Sequence, residues 1–404
     1  MATINTASTW YENDDEFHSQ KKYRVGFICA FDPSDRNHFS GTIHYMHRAL
    51  SDCPDVEVFL LGIRPSKVVN LCRKTLKKVG GKPLSWLNSR VFEKLIHDVE
   101  DDLEEFNGRL DFIVAPVASK IIAAVNASKL DAPVFFVTDA TPAFLREEYG
   151  AGFGAPTDEL EKLVFNRSAK IIYSSHYMAE RAVKEYAGFF GDKNSKVEVI
   201  PFGLNIDEAP EFLGPKSIEG KIELLFVGRD WKRKGGDVAV AAAEYLHDKG
   251  YPVRLTIIGS SPDVSQVKAD VEVIPFINKN IPIQYELFNA LHRRAHFLIL
   301  PTLADCTPMV IAEANTFGTP ALVANVGGIS SLIENGKNGI LMSPGVSGKE
   351  YALNILELKK DPLLYRQMSF GSRQAFEQKL NWRAWAEQIK MLAQQESEQS
   401  TSNP

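Results

Sequence analysis

Cysteine is scarce. Four stand in 404 residues, Cys29, Cys53, Cys72 and Cys306, with no metal-like spacing. Most lie in apolar or helical surroundings, which reads as reduced thiols in a cytosolic protein. Long apolar runs are missing too. None approaches about 18 residues, so no membrane-spanning helix is expected. The amino terminus is polar and acidic (ENDDEF), unlike a secretory signal, so the sequons at Asn126 and Asn166 carry no weight. Neither sign of charge dominates. A net charge of −5 gives no case for a nucleic-acid partner. Histidines pair at helical spacing, His44 with His47 and His292 with His296, but no carboxylate set completes a metal site beside them. A structural role is expected for both pairs, with no metal and no cofactor.

What is present is ordinary for a globular α/β protein: 44% hydrophobic and 24% charged residues. The length suggests two domains. Apolar runs at 23–31, 56–62, 110–116, 133–138, 169–174 and 197–201 read as buried parallel strands, with helices between them. A polar, proline-bearing stretch at 210–218 marks the domain boundary. Strands resume at 222–228, 253–259, 271–276 and 297–300. The expected organisation is a loose tail at 1–21, a first domain at 22–210, a second at 218–380, a last helix at 381–395 and a disordered tail at 396–404. Asn381 reads as the N-cap of that helix, and Trp382, Trp385, Ile389 and Leu392 form its apolar stripe.

Two stretches carry chemistry. Residues 296–320 read as strand, tight loop and helix, with Pro301 ending the strand and Pro308 suited to a first helical turn. The N–H groups of Thr307, Met309 and Val310 would face an anion there, favoured by the helix dipole. Asp305 and Glu313 bracket the turn. Residues 228–236 (GRDWKRKGG) crowd cations at a strand-to-helix junction after Gly228. Arg229 offers a planar grip and Lys234 a point charge, while Lys232 and Arg233 are expected to face solvent. A weaker signal is Ser40-Gly41-Thr42, where glycine lets backbone approach a ligand closely.

One region is strongly biased. Residues 64–94 hold nine Lys and Arg against Glu93 alone. Val68, Val69, Cys72, Leu76 and Val79 share one helical face, opposite Lys67, Arg73, Lys74, Lys77 and Lys78. Two readings stay open: a helix with a solvated basic back, or a peripheral contact with an anionic membrane surface or an anionic acceptor.

Asp305, seven residues and Glu313, followed by Gly318-Thr319-Pro320, Gly327-Gly328-Ile329 and Glu334-Asn335-Gly336-Lys337-Asn338-Gly339, resemble the E-x7-E region of retaining glycosyltransferases of family 4. Arg229 and Lys234 match that family's Arg-x4-Lys pair. The likeness covers nearly the whole chain and is specific from Lys221 to Gly339. It departs in three places: Asp305 replaces the usual Glu, Pro308 a usual Gly, and Thr138 a His beside Asp139.

The resemblance implies the GT-B fold, two doubly wound Rossmann-like domains facing across a cleft, with the last helix crossing back to the first domain. It implies metal-independent, retaining transfer of a hexose from a nucleotide-diphosphate sugar, UDP favoured and GDP second. The acceptor is unknown, with a lipid-linked or polysaccharide precursor as one expectation, and the location cytoplasmic or at the inner face of a membrane. Arg229, Lys234 and the helix N-terminus would take the diphosphate. Gly41 and Thr42 would lean over it, and Phe276 and Ile277 would line the base pocket. Glu313 would bind ribose, Asp305 the transferred sugar, and Asp139 would stand near the reaction centre. The rival reading is a catalytically silent subunit that binds nucleotide sugar or scaffolds a partner.

Overall fold

The computed structural model describes residues 22–36, 38–62, 89–150, 156–190 and 196–402. The expectation for 1–21, and the membrane or acceptor reading of 64–94 up to residue 88, lie outside them.

Six parallel strands form each of two sheets among the described residues. The first runs β1 (Tyr23–Ile28), β2 (Val56–Leu61), β3 (Phe112–Pro116), β4 (Val134–Thr138), β5 (Lys170–Tyr173) and β6 (Val197–Val199), in spatial order β2-β1-β3-β4-β5-β6. The second holds β7 (Ile222–Val227), β8 (Val253–Ile258), β9 (Asp270–Ile274), β10 (Phe297–Leu300), β11 (Ala321–Ala324) and β12 (Gly339–Met342), in order β12-β11-β10-β7-β8-β9. Central strands such as Phe297–Leu300 are buried along their whole length, because helices cover both faces of a parallel sheet. The chain reverses its winding between β7 and β10, which pair directly. The loops leaving those two strands therefore diverge and leave a crevice, the usual ligand position in an open α/β sheet. They are the two stretches that carry chemistry in the sequence.

The last helix, Trp382–Ser402, packs on the first domain. Trp382, Trp385, Ile389 and Leu392 join Phe27, Phe112 and Phe135 in one core. Asn381 accepts the Ala384 N–H at 2.8 Å, so the N-cap forms. Burying apolar side chains of this size contributes about 1.5–3 kcal/mol each. The close approach requires Gly203, where a Cβ would overlap the Trp382 backbone.

The reading of 396–404 as disordered is corrected: residues 396–402 continue the helix. Nothing between Trp382 and Ser402 breaks a helix, and Glu396 pairs with the buried Lys170 at 3.3 Å, tying its last turns to β5. Among the described residues no helix is long and apolar enough to cross a membrane.

Candidate active site

A cavity of about 740 Å³ lies between the two domains. Of the residues singled out in the sequence, Thr42, Asp139, Gly228, Arg229, Lys234, Phe276, Ile277, Asp305, Thr307, Pro308, Met309, Val310 and Glu313 all border it; Gly41 stands just behind its rim, between Ser40 and Thr42.

The second-domain wall is built at the switch point. Val227 ends β7, and Arg229 emerges into solvent with its guanidinium 5.4 Å above the Phe276 ring. Among the described residues it has no carboxylate partner. Lys234 lies one turn on, before the helix Gly236–Asp248. Gly235 takes φ 75, and a Cβ there would overlap the Pro301 carbonyl, so this junction packs directly against the end of β10. That packing brings the Lys234 ammonium onto the carboxylate of Asp305, which is only 5% exposed. The Asp305 loop is pinned from behind by Gly327 and Gly328: a Cβ on either would overlap the carbonyl of Asp305 or Cys306.

The helix after that loop is Met309–Thr316, so Pro308 sits at the N-cap rather than in the first turn. Thr307 is not free. Its hydroxyl lies 2.5 Å from that of Ser174 at the end of β5, linking the two domains. Glu313, on the buried side of the helix, is paired with Lys279 at 2.6 Å. The Lys279 ammonium also stands 4.1 Å above the Phe288 ring.

Several site residues were not visible in the sequence. Lys279 is one, because 34 residues separate it from Glu313. Arg233 is a correction: instead of facing solvent it donates to the Ala304 carbonyl at 2.7 Å and lies 4.4 Å over the Tyr149 ring. The turn at 231–235 leaves Lys232 outward, 80% exposed and paired with Asp237, and turns both Arg233 and Lys234 inward. Asn205 is a third. Fully buried, it donates to the Ser40 carbonyl at 3.0 Å and to the Thr42 hydroxyl at 3.1 Å, and accepts from the Trp382 indole at 2.9 Å. It thereby holds a loop in which Phe39, Ser40 and Gly41 all take positive φ, a conformation that must be imposed by surrounding contacts.

The first-domain wall is acidic. Burial pushes the Asp139 carboxyl up to about 7; its backbone hydrogen bond pulls back and the charge of Asp305 adds to the rise. Glu161, on the helix Asp158–Arg167, is also pushed up to about 7 by burial. Of the paired histidines, His292 bonds to the Phe288 carbonyl and His296 accepts the Glu223 N–H, with burial holding both near 4. Among the described residues no group of three or more His, Cys, Asp or Glu is placed to hold a metal ion.

Glu161 yields a prediction. Its carboxyl titrates near 4.5 when exposed and about 7 when folded. Between these values the unfolded chain has released a proton that the folded chain keeps, so this group's contribution to stability falls as pH rises from about 4.5 to 7 and stays low above. Glu161→Gln should therefore melt higher than the parent protein at pH 8, with the gain shrinking towards pH 4.5. Melting curves at the two pH values check this, and a gain of equal size at both would refute it.

Two doubly wound domains facing across a cleft, with the final helix returning to the first, define the GT-B architecture. Residues 210–375 match the family described as glycosyl transferases group 1. The D-inositol 3-phosphate glycosyltransferase of Pseudarthrobacter chlorophenolicus is 25% identical over 290 residues, covering 66% of this chain and 68% of that protein. The glycogen synthase of Mycobacterium tuberculosis is 25% identical over 272 residues, covering 65% and 63%. The chain spans between half and about two thirds of the length of the first such relatives. Among solved structures, the sucrose-phosphate synthase of Thermosynechococcus elongatus superposes with a TM-score of 0.65 at 18% identity, over 93% of this chain and 99% of that one. Anabaena HepE, in complex with UDP and glucose, superposes with 0.61 at 16% identity, over 92% and 100%. These likenesses concern the fold.

Proposed function

We propose that the protein transfers a hexose from a nucleotide-diphosphate sugar, UDP-linked in preference to GDP-linked, to a hydroxyl acceptor, with retention and without a metal ion. The observation that carries this reading is the convergence at one switch point of Arg229, Lys234 and the N-terminus of the helix Met309–Thr316, with Glu313 one turn inside it. Departure of a nucleoside diphosphate builds negative charge, and preorganised donors of this kind stabilise it. In this reading Arg229 and Lys234 grip the diphosphate and Glu313 accepts hydrogen bonds from the ribose hydroxyls. Asp305 positions the transferred sugar. The acceptor attacks from the face the leaving group vacates, and the departing phosphate oxygen takes its proton. The preference for uridine is supported by the UDP held by the Anabaena neighbour of like fold.

The test is incubation with UDP-glucose, UDP-galactose and GDP-mannose in the presence of EDTA, following nucleotide release and the anomeric form of the product by NMR. The expected result is turnover of a UDP-sugar, faster than of GDP-mannose, with the donor's anomeric configuration kept. Inverted product, or no release from any donor, overturns the reading.

A further inference from the structure

The part of the first-domain wall around Val117, Ser119, Thr138 and Glu161 has no role in the donor reading above, yet it is built as a site. Val117, just past the end of β3, takes φ 45, an outlier for a β-branched residue. Ser119 follows at the start of the helix Ser119–Ala124, and Thr138 ends β4. Glu161 borders the same space, is 1% exposed, and its Oε2 has no hydrogen-bond partner. Buried carboxylate oxygens are nearly always satisfied, so one facing a cavity without a partner asks for a donor from a ligand.

The charges on this side are as informative. Asp139 and Glu161 are its acidic groups. Among the described residues the one basic side chain the first domain gives to the cleft is Arg36, and it is held by Asp207 at 2.6 Å. Arg233, reaching over from the second domain, is engaged by Ala304 and Asp230. Among the described residues, a phosphate group placed against this wall would meet two carboxyls and no unpaired cation of the first domain. A neutral hydroxyl would find an acceptor waiting.

We propose that Val117, Ser119, Thr138 and Glu161 form the acceptor subsite, that Glu161 hydrogen-bonds an acceptor hydroxyl, and that the acceptor is a neutral sugar or polyol rather than a phosphorylated one. This rests on the transfer reading above and gives it a substrate class. It also separates the chain from the relative whose name specifies a phosphorylated inositol.

The experiment titrates the full chain by ligand-observed NMR with two matched pairs, myo-inositol with D-inositol 3-phosphate and glucose with glucose 6-phosphate, with and without saturating UDP. At least one neutral member should bind more tightly than its phosphate ester, by about tenfold or more. Glu161→Leu should weaken that binding about tenfold or more while leaving UDP affinity unchanged, and Glu161→Gln, which keeps a hydrogen-bonding group, should restore part of it. Melting curves confirm that both variants are folded. The proposal is overturned if neither neutral member binds, if the esters bind as tightly as or more tightly than their parents, or if Glu161→Leu binds like the parent protein. Failure of the parent protein to bind UDP counts against the transfer reading instead, because the polyol titration is made without UDP as well.

Discussion

Arg229→Ala should lower transfer from a UDP-sugar by roughly 10²–10³-fold, the scale for losing one preorganised donor at a developing charge. It should do so without loss of stability, since Arg229 is exposed and among the described residues has no ion pair, its guanidinium standing over the Phe276 ring. Lys234→Ala should lose activity on the same scale and also destabilise the fold. Its ammonium is the partner of Asp305, which is almost fully buried. Removing one member of such a pair strands the other charge, at a cost of about 3–5 kcal/mol. Steady-state rates with melting temperatures on the two variants separate these effects. If Lys234→Ala keeps full activity on a donor the parent protein turns over, the phosphate clamp is wrongly placed. If it melts like the parent, the ion pair with Asp305 is not formed in solution.

The second large effect concerns the two carboxylates. Glu313→Ala should weaken binding of free UDP by the worth of a charge-assisted hydrogen bond, about 1.5–3 kcal/mol, or roughly 10–100-fold in Kd. Lys279→Ala should weaken UDP binding less, because Lys279 acts by holding Glu313 in place. Asp305→Ala should spare UDP and damage transfer. Titration calorimetry measures all three. Equal losses of UDP affinity in the Glu313 and Asp305 variants would contradict the division of roles, as would a Lys279→Ala loss exceeding that of Glu313→Ala.

Much of this architecture is legible in the sequence, for a physical reason. Strands of a parallel sheet covered on both faces are continuous apolar runs, so FLIL at 297–300 reads as a buried strand from its residue types alone. The second-domain side of the candidate site is legible as well, because its parts are local: Arg229 and Lys234 share one turn, and Asp305 and Glu313 share one loop and helix.

What stays hidden depends on contacts between distant residues. Lys279, after β9, meets Glu313, on the helix after β10, across 34 positions, and Asn205 reaches Ser40 across 165. Glu161 gives no signal, since in sequence it is one acid among several on the helix Asp158–Arg167, and only the fold turns it inward. The helical C-terminal segment is hidden for the same reason. Its composition is that of a tail, and the pairing of Glu396 with Lys170 that ties down those turns joins distant parts of the sequence.

The most direct measurement is a calorimetric titration of UDP into the parent protein and into Arg229→Ala, both in EDTA. A nucleoside-diphosphate site at the β7–β10 switch point predicts saturable binding to the parent and a loss of about tenfold or more on replacing Arg229. Absence of binding to the parent, or equal affinity in both proteins, would contradict it.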